Sequence, residues 1–206
     1  MDNATRSERS RNAAIQAALA IIARDGPGRL TLDAIARESG ISKGGVMHHF
    51  RTKEAVVTAL LEHLTERFGK FTEAYLAEIG PDRPGALLEA QIATLRESIA
   101  TPHSAFLAIL GAVAENPDLL APNREKDVET LEVIRAEAAD PELAILRLMA
   151  ARGLHLMSLL GICPVSAEER DRLFDRLLDD ARWPAASEAG TPDSARPPRS
   201  RKRGTA

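Results

Sequence analysis

Lys43, His48, His49 and Lys53 place four side chains able to hydrogen-bond a polyanion within residues 43–53, inside the run TLDAIARESGISKGGVMHHFRTK at 31–53. Lys43 is long and cationic, able to reach guanine O6 or N7 in a DNA major groove. Thr31 and Lys53 each stand at the N-terminal end of a predicted helix, where caps and basic side chains engage phosphates. Gly44 and Gly45 each cost roughly 1 kcal/mol of helix stability relative to Ala. That cost is explained if the backbone must approach a duplex closely; the bland alternative is that packing tolerates them. His48 and His49 are adjacent, and adjacent helical residues diverge by about 100°. They do not converge on one ion, so a surface pair is expected rather than a metal site.

These side chains need a scaffold, and the same run supplies one. Leu32, Ile35 and Ala36 fall at i, i+3 and i+4, on one helical face. Gly40 follows, where a helix end favours a left-handed residue. Ser42 can cap the next helix through its hydroxyl, and Val46 lies one turn into it. Two short helices joined by a tight turn make a helix-turn-helix, whose second helix enters the major groove. Base reading then falls to the exposed face of residues 42–48.

The stretch resembles the DNA-binding signature of the TetR family of bacterial transcriptional regulators, through Thr31, Ile35, Ala36, Gly40, Ile41, Ser42, Gly44, His49, Phe50 and Lys53. The likeness extends more loosely over the chain, through its length and helical pattern. It implies an all-α fold, an N-terminal three-helix domain followed by a C-terminal bundle, about nine helices in all. It also implies that His49 joins the phosphate contacts. In one place the chain departs from the family: Met47 replaces a Tyr that commonly hydrogen-bonds a DNA phosphate, and Met cannot make that bond.

The pattern predicts helices near 8–25, 32–39, 42–48, 53–79, 84–100, 103–115, 123–138, 141–161 and 166–181, with Pro84 in a first turn and the helix at 123–138 largely solvated. No period-two alternation points to a sheet. The expected division is 1–52 for DNA binding, 53–183 for ligand binding and dimerisation, and 184–206 as a disordered basic tail, rich in Pro, Ser, Gly and Ala, with Arg199, Arg201, Lys202 and Arg203 clustered in it.

The net charge of −3 is unevenly spread. Residues 1–53 carry nine Lys and Arg against five Asp and Glu, residues 54–183 carry 13 against 23, and residues 184–206 carry five against two. A basic N-terminal part suits a phosphate backbone, and an acidic body stays off it. No run of about 18 apolar residues predicts a membrane span, and the N-terminus lacks the apolar core of a signal peptide. Cys163 is the only cysteine, which fits a reducing, cytoplasmic setting; it is expected to be a buried, inert thiol. No zinc spacing, phosphate loop or nucleophile–base pairing is visible, so no metal, cofactor or catalytic residue is expected.

The resemblance implies a small-molecule pocket in the body. Phe68, Phe71, Tyr75, Gln91, Leu95, Phe106, Leu110 and His155 are the candidate walls, each also able to be plain core. At 3% aromatic residues there is no cage for a quaternary cation. Residues 143–162 are apolar nearly all round. By the same resemblance, Leu156, Leu160, Leu173, Phe174 and Leu177 are candidates for a four-helix homodimer interface, whose two-fold symmetry matches a palindromic operator. The reading is a ligand-responsive DNA-binding repressor of unknown effector. An activator or partner-protein-controlled regulator is the alternative, and a helical enzyme or lipid-binding bundle the remotest one.

Overall fold

Side-chain hydroxyls set the start of three successive helices. The computed structural model describes residues 3–183, so the predicted tail at 184–206 lies outside the described residues. Helix α1 (Asn3–Asp25) begins before the expected residue 8 and ends at Gly26, whose φ of 83° leaves the helical region. After a 3-10 turn at Pro27–Arg29, α2 (Leu32–Ser39) is capped by Thr31, which accepts a hydrogen bond from the Ala34 amide at 3.0 Å. Gly40, at φ 69°, closes it in the left-handed conformation. In α3 (Lys43–His49), Ser42 accepts from the Gly45 amide at 3.1 Å. Thr52 does the same for Ala55 at the start of α4 (Lys53–Ile79), also at 3.1 Å. Replacing any of these caps with Ala costs about 1 kcal/mol.

The body follows as α5 (Ala86–Ser98), α6 (His103–Glu115), a 3-10 turn at Pro117–Leu120, α7 (Ala121–Glu137), α8 (Pro141–Leu159), α9 (Ala167–Leu178) and a last turn at Asp180–Arg182. No strand occurs among the described residues. Two boundaries differ from expectation for identifiable reasons. Pro84 does not open α5, because Gly85 at φ 76° sits left-handed between it and the first helical residue. Helix α9 stops at Leu178 rather than near 181, because Asp179 is extended. Helix α7 is mostly exposed, as its charge pattern suggests, and is anchored through buried Ile134 and half-buried Leu131.

Two cores result. The first joins Ile15, Ala18 and Ile22 of α1, Ile35 of α2, Val46 of α3, Phe50, and Val56 and Leu60 of α4. The second joins Leu88 and Ile92 of α5, Ile134 of α7, Leu148 and Ala151 of α8, and Phe174 and Leu177 of α9. Burying each large side chain contributes about 1.5–3 kcal/mol. Helix α6 docks on the first core through Ala105, with Ala108, Ile109 and Ala112 beside it. Helix α4, about 40 Å long at 1.5 Å per residue, runs from the first core into the body.

Inside α8 two arginines interrupt the apolar run, and both are satisfied. Arg147, 7% exposed, donates to the Leu177 carbonyl through Nε and Nη2 (3.2 and 2.6 Å), pairs with Asp180 at 2.7 Å and lies over the Trp183 ring. Arg152 holds Asp127 of α7 at 2.8 Å. Cys163 is half-buried rather than buried, because it lies in the loop between α8 and α9. Among the described residues, no single helix is long and apolar enough to cross a membrane.

Candidate DNA-binding surface and effector cavity

Val46 and Ile35 are fully buried, which turns the opposite face of α3 outward. Lys43, Gly44, Met47 and His48 are exposed on that face, with Ser42 at its start. Thr31 and Lys53 are exposed at the N-terminal ends of the flanking helices. A reading face bracketed by two capped helix starts can meet base edges at its centre and phosphates at its flanks.

Each polar residue of this surface has a definite state. Lys43 Nζ is 3.0 Å from Asp33 of α2, an exposed pair. Such a pair is weak and can exchange for a DNA partner. His49 is turned back toward the chain, where its Nε2 meets Ser10 Oγ of α1. Ser10 also donates to the Ser7 carbonyl at 3.1 Å, so the arrangement that satisfies both has the ring donating to Ser10. Burial, with His48 and Arg11 nearby, pushes His49 below its ordinary value near 6.5. Thus His48 is the open member of the pair and His49 a link between α3 and α1.

The two glycines separate. A Cβ on Gly45 would come within 2.7 Å of Ile41 Cγ2 and 3.3 Å of Ser42 Oγ, so packing within the chain accounts for Gly45. A Cβ on Gly44 would meet nothing within 4 Å. The space over Gly44 is therefore open, so this position leaves room for a molecule to approach the backbone of α3.

In the body, α4 to α8 line a cavity of about 610 Å³ that is open to solvent on one side. Phe68, Gln91, Leu95, Phe106, Leu110 and His155, named from sequence, all line it. Leu64, Thr72, Thr94, Thr101 and Ile109 line it too and were not foreseen. Phe71 and Tyr75 do not. They stack on each other at 6.1 Å and face a separate recess beside Arg96 and Leu178. Tyr75 is held there because its hydroxyl donates to Glu89 Oε1 at 3.1 Å. Burial and that carboxylate raise its pKa. His155 Nε2 and Thr101 Oγ1 are buried without a hydrogen-bond partner. Burial holds the His155 ring below the ordinary histidine value.

Two family models match separate parts of the chain. Residues 14–60 match "Bacterial regulatory proteins, tetR family", and residues 85–182 match "Tetracyclin repressor-like, C-terminal domain". The chain belongs to the TetR family. It is a DNA-binding transcriptional regulator of that family rather than an enzyme. A regulator described as HTH-type transcriptional regulator BetI from Proteus mirabilis is 26% identical over 175 residues, 80% of this chain and 88% of that one. A TetR transcription regulator from Haloarcula marismortui superposes with a TM-score of 0.66 at 18% identity, covering 84% of this chain and 98% of that one. A multidrug binding protein, EbrR complexed with ethidium, gives 0.54 at 22% identity, covering 82% and 97%. At such identities these two structures share the fold alone.

The residues nominated for a dimer interface divide. Phe174 and Leu177 lie in the chain's own second core, 0% and 6% exposed, so they are withdrawn as partner contacts. The period of α9 points them at α5 and α8, while Arg172, Asp175 and Arg176 face out. Leu173 and Leu160 are half-buried, and Leu156 is 47% exposed. On the same side of α8, Leu146 and Met149 are exposed and Gly153 half-exposed, a stripe at 146, 149, 153, 156 and 160. Sequence reasoning missed Leu146 and Met149, although the spacing was present; a helix apolar on every side does not show which side is free.

Proposed function

We propose that the chain is a homodimeric repressor that binds a palindromic operator in the cytoplasm and is released by a small molecule seated in the cavity between α4 and α8. The observation that carries this reading is the two-sided placement of α6. It packs on the first core, which holds the reader, and walls the cavity with Phe106, Ile109 and Leu110. An occupant that fits only one position of α6 shifts the population between DNA-competent and DNA-incompetent forms, by no more than its difference in affinity for them.

In this reading residues 1–52 form the DNA-binding unit, 53–183 the effector and dimer unit. Lys43, Met47 and His48 face bases, with Gly44 allowing the approach. Thr31, Ser42 and Lys53 position the phosphate backbone. The exposed stripe of α8 supplies the dimer contact, since contiguous apolar surface of this kind marks interfaces. That EbrR is named as a multidrug binding protein and is described with ethidium supports an effector role for this body, without naming the effector.

The test is footprinting on DNA around the gene, followed by anisotropy titration on the protected site. An inverted repeat with half-sites near one duplex turn, about 34–36 Å or somewhat more, and affinity falling steeply with salt are expected. Absence of any protected repeat would reject the reading.

A further inference from the structure

We infer that the cavity takes an uncharged, largely apolar molecule carrying a hydroxyl or carbonyl group, an assignment that rests on the cavity being the effector site. The interior surface comes from Leu64, Phe68, Leu95, Phe106 and Ile109, with no ionised group among them. The charged residues that border it, Glu73, Lys126 and Asp127, are all exposed to solvent. Asp127 is already committed to Arg152 at 2.8 Å. An ion seated against these apolar side chains would lose hydration on that side with no counter-charge among them to replace it. An organic cation would also lack an aromatic cage: only two phenyl rings line the space, and Arg67 already lies over Phe68 at 5.5 Å. The volume of about 610 Å³ falls in the range that holds a drug-sized molecule.

The polar requirement is set by two atoms. His155 Nε2 and Thr101 Oγ1 are buried, face no partner in the chain and border this same cavity. A buried polar atom without a bond is costly, so a ligand that satisfies either gains more than contact area. A neutral imidazole nitrogen and a hydroxyl each act as donor or acceptor. A hydroxyl or a carbonyl on the ligand therefore fits. Three of the other hydroxyls along the cavity are already engaged: Thr72 faces Thr94 at 2.8 Å, and Ser98 donates to the Leu95 carbonyl. Burial keeps the His155 ring neutral near pH 7, consistent with an uncharged occupant.

The test titrates the full chain with diphenylhexatriene, an apolar probe without polar atoms whose fluorescence rises on leaving water. Bound probe is then displaced with 1-decanol, 2-decanone, decanoate or decyltrimethylammonium. The two neutral compounds should displace it at concentrations at least about tenfold below the two ions. The double variant Thr101→Val, His155→Leu should bind 1-decanol about tenfold more weakly while still binding the probe, which also shows that the cavity is intact. Ile109→Trp should exclude the probe by filling the space. Better displacement by either ion, equal displacement by all four, or unchanged 1-decanol affinity in the double variant would overturn the assignment while the effector-site reading survives. Failure of the probe to bind the parent chain, or equal binding to Ile109→Trp, would overturn the effector-site reading as well.

Discussion

Ala105 and Phe106 are neighbours on α6 that serve different parts of the molecule. Ala105 is fully buried in the core of the N-terminal helices, and Phe106 lines the cavity. Consecutive side chains on a helix diverge by about 100°, so one rigid turn touches both. Ile109, one turn further on, packs on the first core and borders the cavity as well. A helix cannot be displaced at one of these faces and stay still at the other, because packed interiors yield little. In the proposed reading this is the physical link through which an occupant and the DNA reader would sense each other, and linkage requires the effect to be reciprocal.

Enlarging Ala105 should imitate an occupied cavity. Ala105→Leu places extra methyl groups where the parent side chain is 0% exposed, and overpacking of this kind costs about 1–3 kcal/mol. The expected outcome is a lower melting temperature and weaker operator binding with no ligand present. Circular dichroism checks that the variant is folded, and anisotropy measures its affinity. A folded variant with unchanged operator affinity would remove α6 from the coupling path.

Reading and anchoring should separate in the reader. Lys43→Ala should relax base preference, costing about 1–3 kcal/mol on the preferred site. Lys53→Ala should weaken all sites alike and reduce the salt slope. Asp33→Ala removes the carboxylate 3.0 Å from Lys43 Nζ and should tighten operator binding severalfold at most, since exposed pairs are worth about 0–1 kcal/mol. Site selection with the Lys43 variant decides the first claim; an unchanged consensus would assign Lys43 to the backbone.

Elements governed by local rules were legible in the sequence. Thr31 and Ser42 read as helix starts and Gly40 as a helix end, because capping and left-handed closure act within a few residues. Relationships across the chain were not. Nothing in the spacing of Ser10 and His49 announces their contact, and His49 was expected on the phosphate side. The same holds for Asp33 with Lys43, which face each other only once the turn at Gly40 is made. In the cavity, Phe68 and His155 were foreseen and Thr101 was not, since a lone Thr in a loop carries no periodic signal. Phe174 and Leu177 were expected to face a partner because apolar stripes do not say which neighbour they meet.

Dimerisation should depend on the exposed stripe of α8. Leu156→Glu, at a position 47% exposed in the single chain, should leave the protomer folded and bury a carboxylate only if a partner covers it. Leu177→Glu would not discriminate, because Leu177 is core and its loss unfolds the second core. Sedimentation is expected to show a dimer for the parent chain and a monomer for Leu156→Glu, with tight operator binding lost because one half-site supplies half the contacts. A dimeric Leu156→Glu variant would move the interface away from this stripe.

Acid should destabilise the fold through buried histidine. Burial lowers the pKa of His155 in the folded chain below its ordinary value near 6.5, and no hydrogen bond compensates at Nε2. Above that value the ring is neutral in both folded and unfolded chains, and stability is at its full level. As pH falls from 6.5 through the lower folded value, the unfolded chain takes up the proton first, so folding loses free energy. His49, lowered by burial and by its cationic neighbours, adds a contribution of the same sign. The melting temperature should therefore drop between pH 7 and pH 5. His155→Leu removes one titrating group and should flatten that drop without abolishing it, because His49 and the carboxylates still titrate. Thermal scans of the two proteins across this range measure the difference in slope, and parallel curves would show that the His155 ring is not held neutral by burial.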